Sequence, residues 1–419
     1  MAKQIASISI SGEITLNMHS LNNEGGEGNQ IMTRQLTVVN KEGQEYIVNG
    51  ISGDMFKHIH AGYLVNYSKE KGIELCEGCS VFNPNRIGID SSFISILKGI
   101  DANEFEEEDK VKYAELLVIV ENEETEKSEL TKANSEKRAI EKKYIALKIS
   151  DKDDLKTYED IELKLDGELK SLKRNDPQYN DKNEEKKKLT KLKKEIEKKY
   201  SLEFTDQEKL EKLIQMCAVD DIHGVLVTAE KNNLPRKSVI EFGWLIGIPE
   251  KNNTETYIHT KVVSNSSGVK GSSSNEGQNI FHRPANHGAY AFVCNIDTYR
   301  IGFNDIDRAY SIDDAKRTAR YKAILQSLLS SFLNPRGAMI SSQKPHITDF
   351  KGVVTYSEKL IPAPTISPIN PEYKSEIDTI ATNLNKIEPG AITVKQFNGL
   401  GAFSEIIKDL IVERPYKLS

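Results

Sequence analysis

The residues best suited to do chemistry form the run His19-Ser20-Leu21-Asn22-Asn23-Glu24-Gly25-Gly26-Glu27-Gly28-Asn29. Its amides and carboxylates can bind ions or polar groups. Its glycines allow sharp turns that point backbone N–H groups at a ligand. Such a loop could hold a phosphate, a metal ion or another polar ligand. The run therefore predicts a binding loop, and an ordinary connector remains the alternative.

A second candidate site is Cys76-Glu77-Gly78-Cys79, which has half the ligand spacing of a zinc ribbon. The other half is missing as a second Cys-x-x-Cys. His58 and His60 lie upstream and could complete four ligands. However, residues two apart on a regular helix do not share a face, so at most one of them is well placed. Structural zinc and a pair of reduced thiols near a turn both remain open.

Catalytic chemistry has weaker support in the sequence. Glu24 and Glu27 are the carboxylates of the first loop, and Asp220, Asp221 and His223 are of types that serve general acid–base catalysis. The latter three are explained more simply as the end of a turn that enters a strand. No serine-protease order, HExxH motif or phosphate-binding Gly-x-x-x-x-Gly-Lys loop is present. The sequence favours a binding protein over an enzyme.

The elements that would position the first loop can be predicted from periodicity. Apolar and polar residues alternate from Gln4 to Met18, which predicts a half-buried strand that leads into the loop. A hairpin is expected from Arg34 to Val39 and from Glu45 to Val48. A helix is expected from Met55 to about Tyr67, with Asp54 as its N-cap.

The rest of the chain predicts further strands and one long helix. Strands are expected over residues 222–228, 238–248, 290–298, 338–341 and 352–356. Ser311 and Asp314 have the spacing of a capping box, and Asn334-Pro335-Arg336-Gly337 ends the amphipathic helix that follows them. The order strand–helix, insertion, strands, helix, strand is typical of an α+β core of the ferredoxin-like or RNA-recognition-motif kind.

Two segments interrupt that core. Residues 102–200 are dense in Glu, Lys and Asp, with apolar residues at helical spacing, and predict a protruding antiparallel helical hairpin. Residues 252–287 are locally cationic, and their middle, 264–277, is almost featureless. A segment of this kind is typical of a functional loop or of a flexible one.

Composition limits the class of protein. The 419 residues are 38% hydrophobic and 29% charged, which suits a soluble protein with a highly charged section. Four cysteines do not make a disulfide framework in a chain of this length, and no apolar run reaches membrane-spanning length. We therefore expect a cytoplasmic protein with no membrane contact. The net charge of −6 argues against nucleic-acid binding over the whole surface but allows a local basic groove.

Four blocks carry a resemblance to a known family: the His19–Asn29 run after its strand, Gly53–Ala61, Asp220–Gly224, and Asn334–Ala338 with Lys344-Pro345. They resemble the first loop, first helix, middle strand and closing strands of the CRISPR-associated DevR autoregulator family. These proteins are crRNA-binding backbone subunits of type I Cascade complexes, and the likeness is to subtype I-B. It covers most of residues 1–100 and 216–360.

The resemblance implies a RAMP-type fold, which is an α+β ferredoxin-like or RNA-recognition-motif core with a helical insertion and a long thumb hairpin. Its domains would be a palm at 1–101 and 216–360, fingers at 102–215, a thumb at 250–288 and a C-terminal extension at 361–419. The chain would be a non-catalytic subunit, without a cofactor, that polymerises head to tail along crRNA and supports pairing between guide and target DNA.

The partners implied are crRNA, further copies of the chain, the capping, large and guide-processing Cascade subunits, and target DNA. Two alternatives remain open. One is a guide-bound endoribonuclease like the backbone subunits of type III complexes. The other is a transcriptional autoregulator that binds nucleic acid, although no helix-turn-helix pattern is present.

The expected RNA contacts lie in the loop, the first helix, the thumb and the closing strands. No aromatic signature of an RNA-recognition motif is present, so contacts to the RNA backbone are expected rather than base stacking on the sheet. The residues expected to bind RNA are His19, Ser20, Asn22, Asn23, Glu24, Gly25, Gly28, Asn29, Arg34, Lys57, His58, Lys261, Asn265, Lys270, His282, Arg283, His287, Arg336 and Lys344. Glu24 is expected to brace the turn.

Overall fold

The computed structural model describes residues 2–27, 30–97, 106–121, 126–149, 161, 163–164, 167–168, 179, 181–190, 204–262 and 278–418. The chain forms two compact units. Unit 1 contains Met1–Arg86, Glu211–Leu226 and Pro235–Ser419, and unit 2 contains Ile87–Leu210 and Val227–Leu234. No helix within the described ranges is both long enough and apolar enough to cross a membrane.

The strands are β1 (Gln4–Ile5), β2 (Ser7–His19), β3 (Asn23–Glu27), β4 (Gln30–Thr33), β5 (Gln35–Val39), β6 (Glu45–Ile51), β7 (Val225–Val227), β8 (Leu234–Arg236), β9 (Ile240–Phe242), β10 (Leu245–Val262), β11 (Gln278–Ile296), β12 (Phe303–Asn304), β13 (Ala309–Tyr310), β14 (His346–Ser357), β15 (Ile392–Asn398) and β16 (Arg414–Pro415). The α-helices are α1 (Gly53–Lys71), α2 (Glu77–Ser80), α3 (Ser91–Leu97), α4 (Glu107–Glu121), α5 (Lys127–Ile149), α6 (Asp206–Met216), α7 (Ala218–His223), α8 (Asp314–Leu333), α9 (Tyr373–Ile387) and α10 (Leu400–Ile411).

A ten-stranded sheet organises unit 1 along the path β15-β14-β2-β11-β10-β6-β5. Each neighbouring pair on this path is antiparallel. β3, β4 and β9 join the sheet off the path. The predicted mixture of helices with antiparallel strands is therefore confirmed, as is the hairpin over β5 and β6.

Aromatic rings bind two helices to one face of the sheet. Phe56 of α1 lies 5.3 Å from Phe292 of β11, and Phe332 of α8 lies 5.0 Å from Phe292, measured between ring centroids. Phe332 also stacks on Phe350 of β14 at 4.5 Å. These rings are buried, and each contributes about 1.5–3 kcal/mol through removal of its apolar surface from water. The core thus fixes α1 and α8 over the central strands.

The opposite face of β2 is also covered, so the prediction of a half-buried strand was wrong for its polar side. Ser9 Oγ donates to the Ala363 carbonyl at 2.9 Å. Ser7 Oγ accepts from the Ala363 N–H at 2.9 Å, and Ser11 Oγ accepts from the Ile366 N–H at 3.2 Å. The segment after β14 therefore lies across these serines, which are all buried.

Both predicted helix caps were wrong by two residues. α1 is capped by Ser52 rather than Asp54, because Ser52 Oγ accepts from the Met55 N–H at 3.1 Å. α8 is capped by Asp313 rather than Ser311. In both cases the cap is the extended residue immediately before the first helical one, where its side chain reaches three residues forward.

Three predicted strands also differ from the structure. Residues 222–228 divide into the end of α7 and the short strand β7, and the run 238–248 is interrupted between β9 and β10. Residues 338–341 form turns. The assignment of Asp220–Gly224 to a middle strand was therefore wrong. The polar residues of α7 are held by buried partners far away in sequence, which periodicity does not detect.

Unit 2 contains part of the predicted charged insertion. α4 and α5 pack together through Tyr113, Leu116, Ala133 and Ile140. Residues 181–190 are helical. Most of residues 150–203, which carry apolar residues at the predicted helical spacing, lie outside the described residues, so the protruding hairpin stays a prediction.

Candidate nucleic-acid interface

The first loop is built as a small hairpin. β3 and β4 pair in antiparallel fashion, with Asn23 opposite Thr33. Gly25 is exposed at φ +96°, and no atom lies within 4 Å of the position a Cβ would take. The glycine is therefore required by its backbone conformation and not by a close neighbour. Gly28 and Asn29, and the side chain of Glu24, lie outside the described residues.

His19 supports this loop from inside the protein. Its side chain is buried, and His19 Nε2 lies 2.9 Å from Tyr290 Oη. Burial lowers the pKa of His19 to about 3, and the nearby His287 adds to this effect. The ring is therefore neutral near pH 7. Its contact with Tyr290 holds the end of β2 against β11.

A buried polar network next to His19 was not predicted from the sequence. The Tyr290 hydroxyl donates to Asn49 Oδ1. Asn49 Nδ2 donates to Thr254 Oγ1 at 3.2 Å, and the Thr254 hydroxyl donates to Asn286 Oδ1 at 2.8 Å. In the sequence, the feature that could have indicated this network is the presence of asparagines within predicted strands. The network joins β6, β10 and β11 beneath the first loop.

The first loop, α1 and the segment after α8 meet in one place. Asn22 Oδ1 accepts from the Ser52 N–H at 2.8 Å, at the start of α1. The Leu21 carbonyl accepts from the Ala338 N–H at 3.1 Å. A Cβ at Gly337 would lie 2.8 Å from Leu21 atoms, so this approach requires glycine. Three sequence blocks that are far apart in the chain are therefore adjacent in unit 1.

Pro284 of β11 anchors the same region. Ser20 Oγ lies 3.2 Å from the Pro284 carbonyl and 2.9 Å from Asn23 Oδ1. Gln343 Nε2 donates to the Pro284 carbonyl at 3.0 Å. Lys344, beside Gln343, is exposed. The loop and the closing segment thus share one carbonyl as an attachment point.

A groove runs beside α1, and we call it the α1 groove. It is lined by Lys57, His58, Tyr63, Lys69, Phe82 and Arg336 together with neighbouring residues of α1 and its flank. The His58 and Phe82 rings lie 4.9 Å apart, and the Arg336 guanidinium lies 5.3 Å from the centre of the Tyr63 ring. The cavity on the Arg336 side has a volume of about 380 Å³.

The other side of the His58–Phe82 pair contains Lys57 and Arg86. Burial lowers the pKa of Lys57, and the Arg86 charge contributes to the same shift. The shift means that the lysine cation is partly desolvated and repelled by Arg86, and the Asp54 and Glu241 carboxylates offset only part of this effect. An anion bound here would relieve both effects. The groove therefore combines cations with exposed rings, which suits a phosphate backbone and unpaired bases.

Other predicted contacts lie on the long β10–β11 ladder. Arg283 pairs in register with Tyr257, and the ladder extends to Val262 opposite Gln278. His282, Arg283 and His287 are partly exposed. Asn265, Lys270 and the side chain of Lys261 lie outside the described residues. The described residues on either side of the featureless middle, 264–277, are therefore two antiparallel strands.

Arg34 lies between β4 and β5, and its carbonyl accepts from the Gly50 N–H of β6 at 3.1 Å. Its guanidinium is 5.3 Å from the centre of the Trp244 ring. The Arg34 N–H also donates to the Asn22 carbonyl at 3.5 Å, so Arg34 lies beside the first loop. The sequence-predicted residues therefore divide into a loop and groove set and a ladder set.

The three residues considered for acid–base chemistry have separate buried partners. Asp221 binds Arg236 Nη2 through Oδ1 at 2.6 Å and Arg320 Nη1 through Oδ2 at 2.8 Å. His223 Nε2 lies 2.8 Å from His60 Nδ1. Asp220 faces a group of cysteines.

Asp220 belongs to a buried cluster with three cysteines. Cys76, Cys79, Cys217 and Asp220 each present a ligand atom, and these atoms all lie within 4.8 Å of one another. His60, which the sequence offered as a further ligand, instead contacts His223 and the Ile324 carbonyl. The second pair missing from the sequence motif is thus Cys217-x-x-Asp220, whose spacing matches Cys76-x-x-Cys79.

A sequence model of the CRISPR-associated negative auto-regulator DevR/Csa2 family matches residues 10–378. The chain belongs to this family. The match includes the first loop, α1, the α1 groove and the closing segment of this DevR/Csa2 member, which confirms the family resemblance seen in the sequence. A search of curated proteins finds no match.

Solved structures give weaker likenesses to the DevR/Csa2 member. A chain of a CRISPR RNA-guided surveillance complex in a pre-nicking state is 11% identical, with a TM-score of 0.40, over 99% of this chain and 96% of that one. A chain of another such complex is 12% identical, with a TM-score of 0.29, over 49% and 81%. Csc2 of Thermofilum pendens is 10% identical, with a TM-score of 0.27, over 98% and 87%. These TM-scores are low, and the assignment rests on the family match.

Proposed function

We propose that this DevR/Csa2 member is the crRNA-binding backbone subunit of a Cascade-type surveillance complex, of the I-B kind. The family match supports the assignment to CRISPR defence. The observation that carries the RNA-binding role is the α1 groove, in which cationic side chains and exposed rings meet beside the first loop and the closing segment.

The finer fold is part of this proposal. We assign the ferredoxin-like core to β2, α1, β9 with the start of β10, β11, α8 and β14. The order of its strands in the sheet, β14-β2-β11-β10, supports that assignment. The long β10–β11 ladder would be the thumb, which folds over crRNA and contacts the next copy. The covered serine face of β2 is consistent with RNA bound at the loop rather than on the sheet.

Electrostatics favours backbone binding without base reading. The net charge of the chain is −6, so attraction to RNA requires a local concentration of cations. The α1 groove supplies Lys57, Lys69 and Arg336 together with the His58–Phe82 ring pair. Cations hold phosphates of any sequence, and rings stack on any base. Sequence specificity would then belong to guide–target pairing.

In the assembled complex, cytoplasmic copies would follow one another head to tail along crRNA and expose the guide to target DNA. The capping, large and guide-processing subunits would complete the assembly. The chain would hold RNA without cleaving it.

The first test removes two groove charges. In Lys69→Ala/Arg336→Ala, we expect weaker binding of single-stranded crRNA. We also expect a slope of log K against log salt that is shallower by about 1.4, because each lost phosphate contact contributes about 0.7. Fluorescence anisotropy over a salt series measures both quantities. His58→Ala should weaken binding with little change in slope at pH 8, because it removes a ring.

The matched control is Lys386→Ala/Lys408→Ala, which removes the same charge from α9 and α10. This variant should bind crRNA with the wild-type salt slope. If the slope of log K against log salt decreases by the same amount in the control and in the groove variant, the groove is not the binding surface. Binding of both variants at wild-type strength would also contradict the proposal.

A separate assay tests the non-catalytic role. The assembled complex is incubated with complementary RNA and Mg²⁺. We expect the target RNA to remain intact. Cleavage at regular intervals that disappears in Glu24→Ala would instead assign a ribonuclease, and specific promoter binding by the isolated chain would favour a transcriptional regulator.

A further inference from the structure

A group of three thiols and one carboxylate lies inside unit 1, beneath the Lys57 side of the α1 groove, whose lining includes Cys79. Cys76 and Cys79 are each 2% exposed, and Cys217 and Asp220 are 0% exposed. Their four ligand atoms lie within 4.8 Å of one another. A tetrahedral zinc with Zn–S bonds of about 2.3 Å separates its ligand sulfurs by about 3.8 Å. The observed group needs only a small contraction to reach that geometry.

The four residues form two matched pairs. Cys76 and Cys217 occupy the N-cap positions of α2 and α7, and each is followed three residues later by its partner; the Cys217 side chain makes no capping hydrogen bond. Cys76 Sγ also accepts from the Cys79 N–H at 3.3 Å. Hydrogen bonds from a helix start to sulfur stabilise a thiolate. A Cβ at Gly78, inside the first pair, would lie 2.0 Å from the Arg86 carbonyl oxygen, so the turn requires glycine.

Without an ion, this group is poorly satisfied. Both Cys76 and Cys79 approach Asp220 Oδ2 at 3.5 Å, which is a long contact with a weak donor. Asp220 Oδ1 accepts no hydrogen bond within the described part of the chain, and the nearest cation is Arg86 Nη1 at 3.7 Å. A buried carboxylate of this kind is costly unless a stronger positive partner is present. A divalent cation supplies one.

We propose that Cys76, Cys79, Cys217 and Asp220 bind a structural zinc ion in a closed Cys₃Asp site. Thiolates select zinc over magnesium or calcium, and four protein ligands leave no open position for a substrate. The first pair precedes and the second pair follows most of the unit 2 segment in the sequence. The ion therefore joins two segments of unit 1 that the insertion separates along the chain.

Metal analysis of the full-length protein, grown with added zinc, tests the proposal directly. We expect about one zinc per chain in the wild type and in Cys294→Ser. Cys294 is a suitable control because it is a buried thiol in β11, outside the cluster. Cys217→Ser should lose most of the zinc and melt at a lower temperature than the wild type. Addition of a chelator should lower the melting temperature of the wild type but not that of Cys217→Ser.

Asp220→Cys addresses the possibility that Cys217→Ser does not fold. This variant completes a Cys₄ set, so it should retain zinc, and its cobalt form should show stronger thiolate-to-metal charge-transfer absorption than the wild-type cobalt form. Equal cobalt spectra of the two proteins would remove Asp220 from the ligand set. Wild-type protein that contains no zinc and binds neither zinc nor cobalt with its thiols reduced would overturn the proposal.

Discussion

At the residue scale, the buried histidines explain a motif that looked like a ligand set. His60 Nε2 must donate to the Ile324 carbonyl at 3.1 Å, because a carbonyl only accepts. His60 Nδ1 therefore accepts from His223 Nε2–H at 2.8 Å. Burial lowers the pKa of His60 to about 4 and the pKa of His223 well below its usual range. Both rings are neutral, and the pair links α1 to α7.

This pair predicts a loss of stability in acid. Between about pH 6.5, where an unfolded histidine titrates, and about pH 4, the unfolded chain binds protons that the folded chain does not. Each buried histidine then lowers the free energy of unfolding by up to about 1.4 kcal/mol per pH unit. His60→Gln keeps an amide donor for Ile324 and removes one titrating ring, so its melting temperature should fall less steeply between pH 7 and pH 5.

The control for this experiment is His346→Gln, at an exposed position at the start of β14. It should melt with the wild-type pH dependence. Parallel curves for wild type and His60→Gln would show that the acid effect comes from other groups.

At the element scale, the correct predictions were those of helices and strands in which the spacing of apolar residues follows the buried face of the element. The hairpin over β5 and β6 and the long helix α8 are of this kind. α7 was missed because Asp221 is stabilised by Arg236 and Arg320, which lie far away in the sequence. The same limit applies to the site. His19 was expected to bind RNA, yet it is buried against Tyr290, a partner that sequence alone does not show.

The β10–β11 ladder carries its own prediction. Changing Lys261, Lys270 and Arg283 together to Ala should weaken crRNA binding and reduce the salt slope by about 2, as expected for three lost phosphate contacts. Anisotropy measurements over a salt series give this slope. A triple change of Lys374, Lys386 and Lys408 to Ala on α9 and α10 removes equal charge away from the ladder and should leave the slope unchanged. An unaltered slope in the ladder variant would remove this element from the RNA contacts.

At the scale of the whole molecule, the acidic net charge and the local cationic groove together favour assembly on RNA over free association. Chains with a net charge of −6 repel one another in solution. Under the proposed function, the attraction between each cationic groove and the RNA phosphates offsets that repulsion, which salt also screens. A head-to-tail contact that is weak alone becomes effectively intramolecular once neighbours share one RNA. Assembly should therefore depend on RNA.

The protein should be monomeric without RNA and form a ladder with it. We expect masses that increase in steps of one 47.1 kDa chain as crRNA is lengthened, measured by light scattering after size exclusion or by native mass spectrometry. Lys69→Ala/Arg336→Ala should shorten the ladder at a given protein concentration, because every copy loses the same contacts. A fixed stoichiometry that does not grow with RNA length would exclude a polymerising backbone, and would leave a subunit that binds one site on the guide.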